Sequence, residues 1–383
     1  MLLSIIIPIY NIEKYIEKCV SSCLQSSQVS YEIILVNDGT KDGSMDVIRH
    51  MSNLPNISII NQENQGLSVA RNTGLSKAKG KYVWFVDGDD WIEPNSIQLL
   101  AAKLNNDTPD VLAFDVNIHK TSLKMKTVSG VVAGEAYRGF DFMRLTPIYS
   151  VWRFWYNRDF LLQNDILFKP GIFHEDGDFN TRVLAHAIKI IYYPILGYHY
   201  IADREGSIMN MVSLKRICTG FDFIEIFNQF ILDNQFSKKD RALIAIDRWR
   251  ALDRYFFHLY DRLSANDRSL FKKIMYKKRK SICHCLYLTN KIRYILCIPF
   301  MYYFPSIYMY IRIFIKIISK FNDYFLKVVF YLEISFSKYI LVLIIDLFMN
   351  KVILLNYADQ KFSIQQKYNY ISAKFFGGFD EYH

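Results

Sequence analysis

The sequence predicts an α/β fold built on a mostly parallel, doubly wound sheet. Three observations carry that expectation: short apolar runs at residues 3–9, 32–36, 57–60 and 82–86, amphipathic helical stretches between them, and polar loops at successive run ends. Short, continuously apolar, β-branched runs suit strands covered on both faces. Strand alternating with helix over about 90 residues is the pattern of a parallel sheet.

The first run ends at Pro8-Ile9-Tyr10-Asn11 and leads to a helix over 12–24, with Ile12, Tyr15, Ile16, Cys19, Val20 and Cys23 on one face. The second ends in Asn37-Asp38-Gly39-Thr40-Lys41-Asp42-Gly43-Ser44, and Ser44 is placed to cap a helix through Met51. Strand 57–60, helix 67–78 and strand 82–86 follow, and residues 110–132 alternate like a sheet extension. Residues 190–194 and 197–201 read as paired strands, and 214–232, 242–263 and 269–288 have helical periodicity. The expected division is an α/β domain over 1–210 and a helical, basic, aromatic-rich region over 211–383.

A chain of 383 residues is long enough for one large domain with an appendage, or for two domains. Apolar residues are 51% and aromatics 16%, and the net charge is +10. Residues 268–351 alone carry 15 Lys or Arg against Asp323, Glu333 and Asp346, so the rest of the chain is near neutral. The basicity therefore says nothing about partners of the N-terminal part, and no nucleic-acid-binding module accompanies it. The six cysteines have no paired CxxC spacing and no zinc-like His set, which points to reduced thiols in a cytoplasmic compartment. The N-terminus reads as lacking a secretory signal, because Met1-Leu2-Leu3-Ser4 has no basic start and Pro8 closes a short apolar run.

Two acidic clusters carry the chemistry. Asp87, Asp89 and Asp90 follow the strand 82–86 with only Gly88 between them. Taken alone, such a run is more often a solvated turn. Carboxylates packed this closely also suit a hard divalent cation, Mg2+ or Mn2+, that bridges to a ligand's phosphates at the carboxyl end of a strand. Glu175 and Asp176 open a helix in His174-Glu175-Asp176-Gly177-Asp178-Phe179. Acidic residues are common in a first helical turn, but the dipole there also keeps a general base ionised. Asp38 has two readings: a carboxylate past a strand that contacts a base or ribose, or an Asx-turn residue in a Gly-rich loop. Neither G-x-G-x-x-G nor a Walker A sequence is present, which excludes the usual dinucleotide and P-loop signatures.

Six segments in order resemble family 2 glycosyltransferases, the inverting, metal-dependent enzymes of GT-A fold. They are SIIIPIYN from Ser4, ILVNDGTKDGS from Ile34, NQGLSVARNTGL from Asn64, YVWFVDGDDW from Tyr82, HEDGDF from His174 and REGSI from Arg204. The resemblance implies transfer of a sugar from a nucleotide-sugar, a UDP-sugar, to a glycan hydroxyl. It implies that Asp38 contacts the uracil or ribose, that Pro8, Tyr10 and Asn11 line the base pocket, and that Arg71 lies near the nucleotide. Asp87 and Asp89 match the D-x-D motif around Gly88, with Asp87 near the ribose and Asp89 on Mn2+ or Mg2+. Asp176 matches the catalytic base, with Glu175 as the alternative. Trp152 falls at an acceptor-side aromatic position, and Arg204 and Ser207 at diphosphate contacts. His199 is either a third metal ligand or a structural histidine. Asn37 departs from the family pattern, where many members carry Asp.

The uncharged stretch 294–311 is interrupted by Pro299 and Pro305, which favours a re-entrant or interfacial segment over a span. Arg312, Lys316, Lys320 and Lys327 then recur among apolar and aromatic residues, as in a helix lying on anionic lipid or one packed on its own domain. The expectation is a glycosyltransferase at the inner face of the plasma membrane, acting on a lipid-linked glycan in surface-polysaccharide synthesis. Its rivals are a transferase for a protein or teichoic-acid-like polymer, and a silent membrane-bound assembly subunit.

Overall fold

The computed structural model describes residues 1–290, apart from 26–27, 105–106, 120–122, 127, 147–149, 203–213 and 253–261. In chain order the elements are β1 (Leu3–Ile9), α1 (Ile16–Cys23), β2 (Tyr31–Asp38), α2 (Ser44–Val47), β3 (Ile57–Gln62), α3 (Leu67–Lys77), β4 (Tyr82–Phe85), β5 (Trp91–Ile92) and α4 (Ser96–Ala101). There follow β6 (Val111–His119), β7 (Leu123–Lys126), β8 (Ala136–Tyr137), α5 (Gly139–Leu145), β9 (Phe154–Asn157), α6 (Arg158–Gln163), α7 (Glu175–His186) and β10 (Ile190–Ile201). Four helices close the described chain: α8 (Leu214–Asp233), α9 (Lys238–Ala251), α10 (Ala265–Lys277) and α11 (Arg279–Leu288).

The strands form one sheet in the order β3-β2-β1-β4-β9-β6-β10-β5, with β7 beside β6 and β8 beside β10. Neighbours from β3 to β4 pair in parallel, as does β6 with β10, while β9 runs antiparallel between β4 and β6. Side chains of alternate strand residues enter different layers, which is why the runs are apolar throughout. Ile6, Ile34, Val83 and Phe85 pack with Ala70 and Leu75 of α3 and Phe179, Val183 and Leu184 of α7. Ile5, Ile7, Ile33, Leu35 and Trp84 pack with Ile16, Cys19, Val20 and Cys23 of α1 and Ile97 and Leu100 of α4. The sheet is thus covered on both faces, and the parallel strands β1, β2 and β4 deliver their carboxyl ends to one edge.

The helical region meets this sheet domain through α5 and α9. Phe140 of α5 packs with Phe223, Phe227 and Ile231 of α8 and Ile244 of α9. Arg144 pairs with Asp240 at 2.5 Å, and Arg248 Nη1 donates to the Gly177 carbonyl at 3.2 Å.

Several local expectations are corrected. Residues 190–201 are one strand and not a pair; register shifts between Tyr192 and Leu196 and between Leu196 and Tyr198 absorb Pro194, which has no N–H for a ladder. The stretch 269–288 is two helices, α10 and α11, which break at Lys278, and both pack on α8. Lys278 Nζ turns to Asp222 at 3.1 Å and Glu225 at 2.5 Å. The first helix starts at Ile16, four residues later than its apolar periodicity suggests. Ser44 is the first residue of a one-turn helix and not its cap; its hydroxyl accepts from the Ile12 N–H at 3.0 Å and donates to Asp42 at 2.6 Å. The helix expected over 242–263 is described as Lys238–Ala251, with 253–261 outside the described residues. The stretch 294–311, the basic segment after Arg312 and Cys297 also lie outside them, and among the described residues no helix is long and apolar enough to cross a membrane.

Candidate active site

At the carboxyl edge of the sheet, Arg71 draws three carboxylates together. It sits on α3 with its side chain 1% exposed. Nη2 donates to Asp87 Oδ1 at 2.7 Å, and Nη1 donates to Glu175 Oε1 at 2.9 Å and Asp176 Oδ1 at 2.7 Å. A buried guanidinium costs heavily unless paired, and three carboxylates around it keep it charged. The arrangement links the loop after β4 to the first turn of α7, segments about 90 residues apart in sequence. Arg71, expected near the nucleotide, is held by these acidic residues.

Asp176 gains a second donor, the Val151 N–H to Oδ2 at 3.3 Å. Burial pushes its carboxyl up to about 7 against the opposing pull of Arg71, and the charges of Glu175 and Asp87 add to the rise. Its side chain keeps 23% exposure, so it is reachable from solvent. A carboxylate held in place with its pKa raised in this way has the chemistry a general base needs.

Asp87, Asp89 and Asp90 place carboxylate oxygens within 4.8 Å of one another. Their functions separate. Asp90 is 1% exposed; its Oδ2 accepts from the Tyr198 hydroxyl at 2.7 Å and its Oδ1 from the Ile201 N–H at 2.8 Å. Burial, then the charges of Asp89 and Asp87, raise its pKa well above the carboxylate range. The same Tyr198 hydroxyl accepts from the Asp87 N–H at 3.1 Å, so Asp90 and Tyr198 lock the turn onto β10. Asp87 and Asp89 are half-exposed, and this all-oxygen, mutually repelling set fits a hard cation such as Mg2+ or Mn2+. Gly88 faces inward, since a Cβ there would lie 2.3 Å from Ile12 Cδ1.

Asp38 is 2% exposed and fully engaged. Oδ1 accepts from Gln62 Nε2 at 2.7 Å and the Gln65 N–H at 2.9 Å; Oδ2 accepts from the Gly66 N–H at 2.9 Å and Asn64 Nδ2 at 3.3 Å. Its carboxylate therefore shapes the entry to α3, and Gly66, at φ +89°, turns the chain there. Pro8 is buried within β1, whereas Tyr10 is exposed at the strand's end. Asn11 adopts φ +51° and its Oδ1 accepts from the Lys41 N–H at 3.2 Å. Asn37, the departure from the family pattern, bonds Asn61 at 2.9 Å and the Thr40 N–H at 3.0 Å.

His199 lies in a different cluster. Its Nε2 is 2.5 Å from Glu93 and its Nδ1 2.9 Å from His119 Nε2, and the ring stacks on Trp91 at an interplanar angle of 8°. Those contacts assign it the structural reading. Trp152 is 6% exposed and stacks on Tyr198 at 4.8 Å and Tyr200 at 5.2 Å. Arg204 and Ser207 lie outside the described residues. What sequence reading missed is the pair Asp90–Tyr198 and the buried support around Asp176. Neither has a local signature, because the partners are brought together only by the tertiary fold.

A doubly wound sheet with helices on both faces and an acidic turn at its carboxyl edge is the GT-A fold, and a solved structure shares it. TarS of S. aureus (residues 1–349) superposes with a TM-score of 0.65 over 81% of this chain and 88% of that one, at 19% identity. Residues 4–164 match the family model described as glycosyl transferase family 2. Through that segment, less than half of the chain, the protein is similar to that family. EpsJ of Bacillus subtilis (strain 168), an uncharacterised glycosyltransferase, is 35% identical over 201 residues, which make up 49% of this chain and 58% of EpsJ. The chain thus spans little more than half of that relative. EpsH of the same organism, a putative glycosyltransferase, is 27% identical over 71% of this chain and 80% of its own length.

Proposed function

We propose that the chain transfers a sugar from a nucleotide-sugar, a UDP-sugar, to a hydroxyl of a glycan acceptor. The observation that carries this is the Arg71 junction, which sets a candidate base, Asp176, beside the acidic turn. The domain over 1–210 binds the donor. Tyr10 and Asn11 line the nucleoside end, with Pro8 and Asp38 shaping the loops around it and the backbone at Gly88 close to the diphosphate. The solved TarS structure of like fold is a complex with UDP-GlcNAc, which supports the donor class.

In the transfer, the acceptor oxygen attacks the anomeric carbon as the bond to the diphosphate breaks. The nucleoside diphosphate leaves with the electron pair, and Asp176 takes the acceptor's proton. A single displacement inverts the anomeric centre. Asp87 and Asp89 would hold Mn2+ or Mg2+, whose charge, when bound, favours departure of the diphosphate. Arg71 keeps Asp176 in position, and Glu175, on the same guanidinium, is the alternative base. The region 211–383 places the enzyme at the inner face of the plasma membrane, where a lipid-linked oligosaccharide is the acceptor; Arg204 contributes to the diphosphate end of the site.

The test is donor hydrolysis across a panel of nucleotide-sugars with Mn2+ or Mg2+ and then EDTA, for the wild type and Asp89→Ala. Metal-dependent release of UDP from one sugar, lost in the variant with the circular dichroism spectrum unchanged, supports the reading. Full activity in Asp89→Ala overturns the metal-dependent reading, and no turnover of any donor sinks the transferase and leaves the silent-subunit alternative.

A further inference from the structure

The buried residues behind Asp176 close a ring that the active-site residues do not explain. Asp176 Oδ2 accepts from the Val151 N–H at 3.3 Å. Val151 opens the tight turn Val151–Arg153, and its carbonyl lies 3.1 Å from the hydroxyl of Tyr156 on β9. That hydroxyl donates to Asn180 Oδ1 at 2.7 Å. Asn180 is one helical turn along α7 from Asp176, so the ring returns to the helix it left.

We propose that Tyr156 and Asn180 are positioning residues for Asp176, which they set through the Val151 turn; this rests on Asp176 being the base. Each member has a reason to be rigid. Tyr156 is buried, Asn180 is 1% exposed and Val151 is 0% exposed. Burial holds the Tyr156 phenol well above its usual pKa, so the hydroxyl remains a proton donor at any working pH. Its single proton is shared between Asn180 Oδ1 and the Val151 carbonyl, which fixes the turn relative to α7. The next residue, Trp152, is clamped from the other side by its stack on Tyr198. The Val151 N–H therefore has little freedom, and it aims one carboxylate oxygen while Arg71 aims the other. Displacing a reacting group by about 1 Å can cost around a hundredfold in rate, so a ring of this kind acts on chemistry and not on donor affinity.

The experiment compares Tyr156→Phe, Asn180→Ala, the double variant and Asp176→Asn in the full chain. It measures kcat and donor KM for transfer, with the melting temperature alongside. Tyr156→Phe removes one oxygen and keeps the ring's packing. We expect each single variant to lose about tenfold or more in kcat with donor KM unchanged. The double variant should lose no more than the worse single one, because residues that act as a unit are non-additive. Unchanged kcat in Tyr156→Phe, or losses that multiply in the double variant, would overturn the proposal while an inactive Asp176→Asn leaves the base assignment standing. Losses in kcat and donor KM that follow a fall in melting temperature would also overturn it, since they report general destabilisation. An active Asp176→Asn would remove both readings.

Discussion

Asp176 shows how one residue's environment sets its chemistry. Its carboxyl is pushed up to about 7 by burial and its acidic neighbours, while Arg71 holds it within reach of ionisation. In the free protein the value predicts that kcat/KM for transfer rises with pH through about 7 as the carboxylate forms. Asp176→Asn should lose on the order of 10² to 10⁴ in rate and flatten that limb. Stability should move the other way. The folded pKa lies above the unfolded value of 3.8, so the folded state holds the proton more tightly and this group's contribution to stability falls as pH rises from about 4 to 7. The melting temperature of Asp176→Asn relative to wild type should therefore climb across that window and match it near pH 4. A constant offset would show that Asp176 titrates normally. Arg71 and Asp90 are legible in the sequence as residue types within motifs. Their tasks are not, because ion pairing across 104 residues and a hydroxyl supplied from β10 leave no local trace.

At the scale of elements, α7 is placed by its contact with α5. Gly139 begins α5, and a Cβ there would lie 1.8 Å from the Leu184 carbonyl, so the two helices meet at a distance only glycine allows. Gly139→Ala should destabilise the fold by about 1–3 kcal/mol or more through overpacking against backbone. It should also depress transfer, because α7 carries both Glu175 and Asp176. Melting temperature and kcat would be read together, and an unaltered melting curve would refute the close approach. Strands β1, β2 and β4 were readable because burial on both faces demands unbroken apolar runs. The break at Lys278 and the continuity of β10 through Pro194 were not, since both depend on what the neighbouring elements require. Helix periodicity continues across Lys278, and only packing of both halves on α8 interrupts it.

At the scale of the molecule, the sheet domain and the helices from α8 to α11 are joined by Phe140, the Arg144–Asp240 pair and the bond from Arg248 to Gly177. The last of these ends on the α7 turn that bears Asp176, so the helical region braces the site. Truncation after Thr289 keeps all of these contacts and removes the uncharged and basic stretches that follow. The proposed membrane association then predicts a shortened protein that still hydrolyses donor and no longer sediments with anionic vesicles. Sedimentation equal to that of the full chain would refute anchoring by that tail.

The sequence by itself determined the α/β class, the resemblance to a family and the identity of the acidic residues, because each is written in contiguous segments: apolar runs, polar loop ends and short motifs. The tertiary structure alone decided which of those residues meet. Arg71 gathers Asp87, Glu175 and Asp176, Asp38 is taken up by the loop before α3, His199 is held by Glu93 and His119, and β9 enters antiparallel between β4 and β6. The physical reason is that pairing of strands and burial of charge are settled by partners distant in the chain. A residue's neighbours in sequence fix its conformation, whereas its neighbours in space fix its chemistry.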